Sequence, residues 1–200
     1  DPVGDAAEYS AFPKPDLVLI THQHGDHYKP DTLTALVTDN TKMITNPAVY
    51  DMLPDDMKAK ASKIGNGETG EFNSLKIEAI GAYNITKERM KFHPKGRDNG
   101  YILNFDGLRV YISGDTEDHA EMRALKNIDL AFVCMNLPYT MDIEQAASGV
   151  LEFAPRVVYP YHYRGKDGVS DVEQFAKLVT DAKRAFKVYP LADVPVVASD

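Results

Sequence analysis

Cysteine is almost absent. With Cys134 alone in 200 residues there is no internal disulfide framework, which leaves the compartment open between the cytoplasm and an exported location such as a bacterial periplasm. Also missing is any apolar run near the ~18 residues that would cross a membrane. Basic residues are short as well: 22 Lys and Arg face 30 Asp and Glu, a net charge of −8. That balance argues against a nucleic-acid backbone as the main substrate, because phosphate binding is driven by lysine and arginine. No internal repeat, low-complexity tract or linker interrupts the chain, so residues 1–200 read as a single domain. The rest is ordinary globular composition, 44% hydrophobic and 26% charged, and long enough to bury one full core. The chain opens on Asp1-Pro2 rather than on methionine, the mark of a removed leader, tag or native segment.

The chemistry concentrates in Thr21-His22-Gln23-His24-Gly25-Asp26-His27, directly after the branched run Leu17-Val18-Leu19-Ile20, which reads as a buried strand. Imidazoles with a carboxylate suit zinc, and also manganese, nickel or iron, whereas calcium and magnesium take oxygen ligands. His22 and His24 are two apart, so an extended chain points both to one side, where they can grip one ion. Gly25 permits a bend after which Asp26 and His27 face a neighbouring point. Two rival readings are a solvated loop and a structural metal knot. Structural zinc is usually closed by four ligands rich in cysteine, and Cys134 lies in an apolar strand.

This His-x-His-x-Asp-His run after a strand resembles the signature of the metallo-β-lactamase superfamily. The resemblance implies an α/β (α+β) fold, the αββα four-layer sandwich, with a two-metal hydrolytic site at one edge. In that superfamily an Asp-Pro often closes the last of several N-terminal strands, which implies that some strands of one sheet lie upstream of residue 1. It implies further ligands too. A His-x-x-Gly turn ahead of a Gly-Asp pair usually supplies a third histidine, here His93 ahead of Gly114-Asp115. Asn84 is the rival, because some relatives place their histidine right after that strand; amide oxygen is the poorer zinc ligand, so His93 is preferred. Asp115 would bridge the ions, with a helix N-cap as its plain alternative. His162, at the end of the run Arg156–Tyr161, would complete the second site. The implied set is His22, His24 and His93 on metal one, Asp26, His27 and His162 on metal two, and Asp115 between, with Asp26 and Asp115 in catalytic roles. Two such ions, zinc by preference, would polarise the substrate and lower the pKa of a nucleophilic water. His119 is left over and is assigned a solvated or supporting role.

Patterning predicts strands over Leu17–Thr21, Lys42–Thr45, Glu68–Phe72 and Leu75–Tyr83, and a long polar loop from Asn84 to Asn99. A hairpin of Gly100–Phe105 and Leu108–Ser113 turns on Asp106-Gly107. Helices are expected from Pro30 to about Val37, over Pro47–Leu53, Asp55–Lys63 and Thr116–Lys126, the last capped by Thr116 or Glu117. Then follow a strand Ile128–Asn136, a helix Asp142–Phe153, a strand Arg156–Tyr161, a helix Ser170–Phe186 and a strand Lys187–Tyr189.

From Asp1 to about Tyr163, with Gly114-Asp115-Thr116, Tyr139-Thr140-Met141 and Tyr161-His162-Tyr163, the chain looks like the small metal-dependent hydrolases that include ascorbate-6-phosphate lactonase-like proteins. Lys95, Arg97 and Arg164 are candidates to meet an anionic group; Tyr139, Tyr161 and Tyr163 are candidates to line a cleft or protonate a leaving group. The leading expectation is hydrolysis of a small, anionic ester, lactone or phosphodiester, with a nuclease disfavoured. Iron-dependent redox chemistry on the same fold and non-enzymatic metal binding are the alternatives.

Overall fold

Leu17–Ile20 (β1) alternates in burial, and the alternation sorts its side chains between two cores. Val18 and Ile20 pack with Tyr28, Leu33, Met43 and Val49 beneath the first helices, while Leu17 and Leu19 turn to the opposite face. The structure, a computed structural model, describes residues 1–182 and 187–188. After β1 come α1 (Pro30–Leu36), β2 (Lys42–Thr45), α2 (Pro47–Met52), α3 (Asp55–Lys58) and β3 (Ala61–Lys63). β1, β2 and β3 form one parallel sheet in that order.

The second sheet has seven strands. β4 (Thr69–Phe72), β5 (Leu75–Ala82), β6 (Asp98–Phe105) and β7 (Leu108–Ile112) run antiparallel, and β8 (Leu130–Val133), β9 (Val157–Pro160) and β12 (Lys187–Val188) continue parallel from β7. A small hairpin of β10 (Arg164–Gly165) and β11 (Gly168–Val169) stands apart. Outside lie α4 (Ala120–Arg123), α5 (Ile143–Phe153) and α6 (Val172–Asp181).

Three cores separate four layers. Ile44, Ile77, Tyr101 and Leu103 join the two sheets face to face, and Ile102, Tyr111, Ala131 and Val133, alternating with them, face α5 and α6. The result is the αββα sandwich. α5 shows why it lies there: Ala146, Ala147, Val150 and Phe153 fall on one stripe at helical spacing and are all buried. Asp142 starts it by accepting from Gln145 N, with the Gln145 side chain answering in a capping box. No helix among the described residues is long and apolar enough to cross a membrane.

Three expectations change. The helix expected over Asp55–Lys63 stops at Lys58, and Ala61–Lys63 becomes β3, because pairing with β2 outweighs the weak helical preference of so short a segment. β6 begins at Asp98, inside the expected polar loop, and the helix expected from Thr116 shrinks to Ala120–Arg123. The expected ends of the last helix, residues 183–186, and of the last strand, Tyr189, lie outside the described residues.

Candidate metal centre

Every strand that carries a proposed ligand ends, or in the case of the antiparallel β6 begins, at one edge of the sandwich. His22 to His27 follow β1, His93 precedes β6, Asp115 follows β7 and His162 follows β9. Two bonds across the sheets hold that edge in register: Asn99 N–H donates to the Thr21 carbonyl at 3.0 Å, and Tyr101 hydroxyl to the Ile20 carbonyl at 2.8 Å. Gly114 turns the chain out of β7 with φ of 61°, and a Cβ there would lie 2.6 Å from the Asn99 carbonyl oxygen. Only glycine fits, and the turn delivers Asp115. Gly25 is different: it meets nothing within 4 Å and keeps an ordinary φ, so the bend after His24 rests on the His27 and Tyr28 N–H groups, both bonded to the His24 carbonyl.

The donors converge as three overlapping groups. His22, His24 and His93 form one, Asp26, His27 and His162 another, and His22, His27 and Asp115 lie between, each group with its ligand atoms within 4.8 Å of one another. His22 Nε2 is 3.1 Å from His24 Nδ1, and His27 Nε2 is 3.1 Å from His162 Nε2. Two nitrogens bound to one tetrahedral zinc at ~2.0–2.1 Å would stand roughly 3.3 Å apart, so these separations fit a shared cation. Asp115 reaches His93 Nε2 at 3.3 Å, His27 Nε2 at 3.4 Å and His162 Nε2 at 3.4 Å. Its Oδ1 is buried without a hydrogen-bond partner. A buried carboxylate oxygen without a hydrogen bond is costly, and a cation is the partner this site offers it. The residues present therefore fit divalent metal.

A further ring of contacts orients the imidazoles, and sequence reasoning did not find it. Asp98 accepts from His93 Nδ1 at 3.0 Å, and Thr21 Oγ1 lies 3.0 Å from His22 Nδ1. Asp1 Oδ2 is 2.9 Å from His27 Nδ1 and accepts the Thr21 hydroxyl at 2.8 Å. With Nδ1 held in this way, Nε2 of His22, His27 and His93 is turned to the centre. Asn136 Nδ2 stands 3.1 Å from His162 Nε2. The signal for Asp98 and Asn99 was available, a polar pair opening an apolar strand, but it reads equally well as loop.

Burial and charge set the titration of the cluster. Burial, reinforced by neighbouring imidazoles, pushes His22 down, and burial lowers His27 to about 4. Burial also works against the charged forms of His162 and Asp115, but their mutual hydrogen bonds win. His162 rises to about 10 with help from Asp26, and Asp115 falls well below the carboxylate range. His93 rises because Asp115 and Asp98 outweigh its burial.

The remaining sequence candidates separate. Asn84 donates its side-chain amide to the Arg89 and Tyr139 carbonyls, at 2.9 and 2.7 Å, and so ties two loops together. His119 is neither solvated nor beside the donors: it is buried, stacks on Tyr83 at 4.0 Å, donates to Gly81 O and caps α4 in place of Thr116 or Glu117. Thr116 bonds Tyr83, and Glu117 receives the Ile85 and Thr86 N–H groups and Arg89. Lys95 pairs with Glu121 and the Tyr83 hydroxyl away from the donors. Arg97 forks onto Asp98 at 2.6 and 2.8 Å and also bonds the Phe92 carbonyl. Arg164 is exposed on β10. Tyr161 and Tyr163 pack against the helical core, while Tyr139 lines a cleft of about 300 Å³ with His24, Asp26, Phe92, His93 and Asp115.

Four layers with clustered histidine and aspartate at one edge define the class: this is a metal-dependent hydrolase of the metallo-β-lactamase fold. The chain belongs to the β-lactamase superfamily, whose domain profile matches residues 1–162. A UPF0173 metal-dependent hydrolase of Staphylococcus carnosus is 30% identical over 173 residues, 82% of this chain and 75% of that protein. An inferred metal-dependent hydrolase from Parabacteroides distasonis has a solved structure that is 45% identical, with a TM-score of 0.82 over 91% of this chain and 78% of that one. Igni18, a metallo hydrolase from Ignicoccus hospitalis, is 27% identical with a TM-score of 0.74, over 92% and 79% of the two chains.

Proposed function

We propose that this protein hydrolyses a small ester, lactone or phosphodiester at a dinuclear metal centre. His22, His24 and His93 would hold one ion, Asp26, His27 and His162 the other, and Asp115 would lie between them. The observation that carries this reading is the pair of separate donor triads on either side of a buried carboxylate, Asp115, one oxygen of which has no hydrogen bond. Two divalent ions, zinc by preference, would supply acidified water and polarisation of the substrate oxygen.

The chain's own residues do the rest. Asp98, Thr21 and Asp1 fix the imidazole rings, so little reorganisation is left for the reacting state. Asp26 is the exposed carboxylate of the group, its side chain 60% accessible, and its pKa is lowered by the His162 hydrogen bond. It is therefore ionised at neutral pH and placed in the cleft to accept a proton from incoming water. Tyr139 stands across the same cleft, where its hydroxyl is a proton donor for a leaving group. Lys95 is engaged by Glu121, while Arg97, held by Asp98, also brings its Nη2 to 3.4 Å from His24 Nε2 at the edge of the site.

Metal content per chain, measured by plasma mass spectrometry on protein purified without chelator, tests the reading. Two equivalents of zinc or manganese are expected, falling towards one in His93→Ala. One equivalent or none in the wild type would refute the dinuclear centre, and iron with a visible absorption band would favour redox chemistry instead.

A further inference from the structure

The cleft over the donors is lined by two kinds of side chain: the polar His24, Asp26, His93 and Asp115, and the aromatic Phe92 and Tyr139. The two rings meet edge to face, centroids 5.1 Å apart at 81°, and both remain partly exposed. Their backbones are pinned. Phe92 N–H donates to the Arg89 carbonyl at 2.9 Å and its carbonyl accepts from Arg97 at 2.6 Å. Tyr139 N–H donates to the Asn136 carbonyl at 2.9 Å and its carbonyl accepts from Asn84 at 2.7 Å. Arg89 joins the two segments, reaching Glu117 at 2.8 Å and the Thr140 carbonyl at 3.0 Å. The backbones are thus held by bonds that leave both rings partly exposed. Met90 and Leu137, exposed at 47% and 40%, extend both segments with further apolar surface. Lys91 covers one face of Phe92 with its ammonium 5.0 Å from the centroid. A partly exposed aromatic pair that lines so small a cleft together with polar metal donors is a recognition surface rather than core.

We propose that Phe92 and Tyr139 select a substrate bearing an uncharged planar group, aromatic or unsaturated, next to the scissile bond. The group lies against the two rings, offset or edge-on as aromatic quadrupoles prefer, and the bond beside it is brought over the donors. This rests on the hydrolytic reading and adds the chemical class of the substrate. At about 300 Å³ the cleft is at the small end for ligand pockets, so one ring or a short unsaturated chain fills it.

Two hydroxamates test this by binding alone, because they share a metal-chelating head and differ only in a phenyl or a methyl group. Benzohydroxamate and acetohydroxamate are titrated calorimetrically into the zinc-loaded protein. The phenyl compound is expected to bind about tenfold more tightly. That margin should fall to within about twofold in Phe92→Ala and in Tyr139→Ala, and persist in Tyr139→Phe, which keeps the ring. Equal affinities in the wild type, or an unchanged margin in both alanine variants, would overturn the aromatic site and leave the metal centre standing. Failure of both compounds to bind would refute the metal-centred reading, and this proposal with it.

Discussion

Asp98 is fully buried, with His93 Nδ1 on one oxygen and the Arg97 guanidinium across both. Converting it to Asn weakens its grip on His93 and leaves Arg97 without a matching charge. Asp98→Asn is expected to lower metal affinity about 10–100-fold, read by competition with a chromogenic chelator; unchanged affinity would reduce Asp98 to a packing role. Cys134 offers a second residue-scale test. Burial pushes its thiol up to about 12, so the folded protein should resist alkylation at pH 8 and react only when unfolded. The sign for stability follows. The unfolded thiol ionises near 9 while the folded one keeps its proton, so this contribution to stability is lost as pH rises from 9 towards 12. The run from His22 to His27 was visible in the sequence because so many imidazoles and a carboxylate in one short stretch are rare enough to stand out, whereas His93, Asp115 and His162 were reached only through the resemblance to the superfamily. Asp1, Thr21 and Asp98 were not visible, since a carboxylate or hydroxyl that orients an imidazole looks in sequence like any surface or turn residue.

Among the elements, α5 has both its start and its stop set by named residues. Asp142 opens it, and Ala154 closes it in the left-handed region at φ 51°, ψ 62°. A Cβ is disfavoured there, and glycine relieves that at some cost in chain entropy. Ala154→Gly is therefore expected to stabilise the protein by about 0.5–1 kcal/mol, raising Tm by roughly 1–4 °C in a thermal melt. A lower Tm would mean that the backbone there is not strained. α5 and the Asp106-Gly107 hairpin were legible because local signals agree with the packing: a capping box on an amphipathic stripe, and a turn whose two central residues both take positive φ. β3 and the start of β6 were not. Ala61-Ser62-Lys63 has no strand pattern of its own and is ordered by β2, while β6 opens with Asp98 and Asn99, whose polarity serves the site and hides the strand.

At the scale of the molecule, the centre lies where both sheets end, and its donors come from each of them. A cation held there binds the folded chain and not the unfolded one. Removing metal with a chelator is expected to lower Tm by about 5–10 °C, as loss of a ligand present at ~100 times its Kd would do; an unchanged Tm would show that the donors do not contribute to holding the sheets together. His22 and His162 stand roughly 140 positions apart in a chain with a single cysteine. Joining them through ions would tie distant parts of the folded chain together as a disulfide does, but by binding the folded state rather than by restricting the unfolded one. Unlike a disulfide, it answers to proton and metal concentration rather than to redox potential.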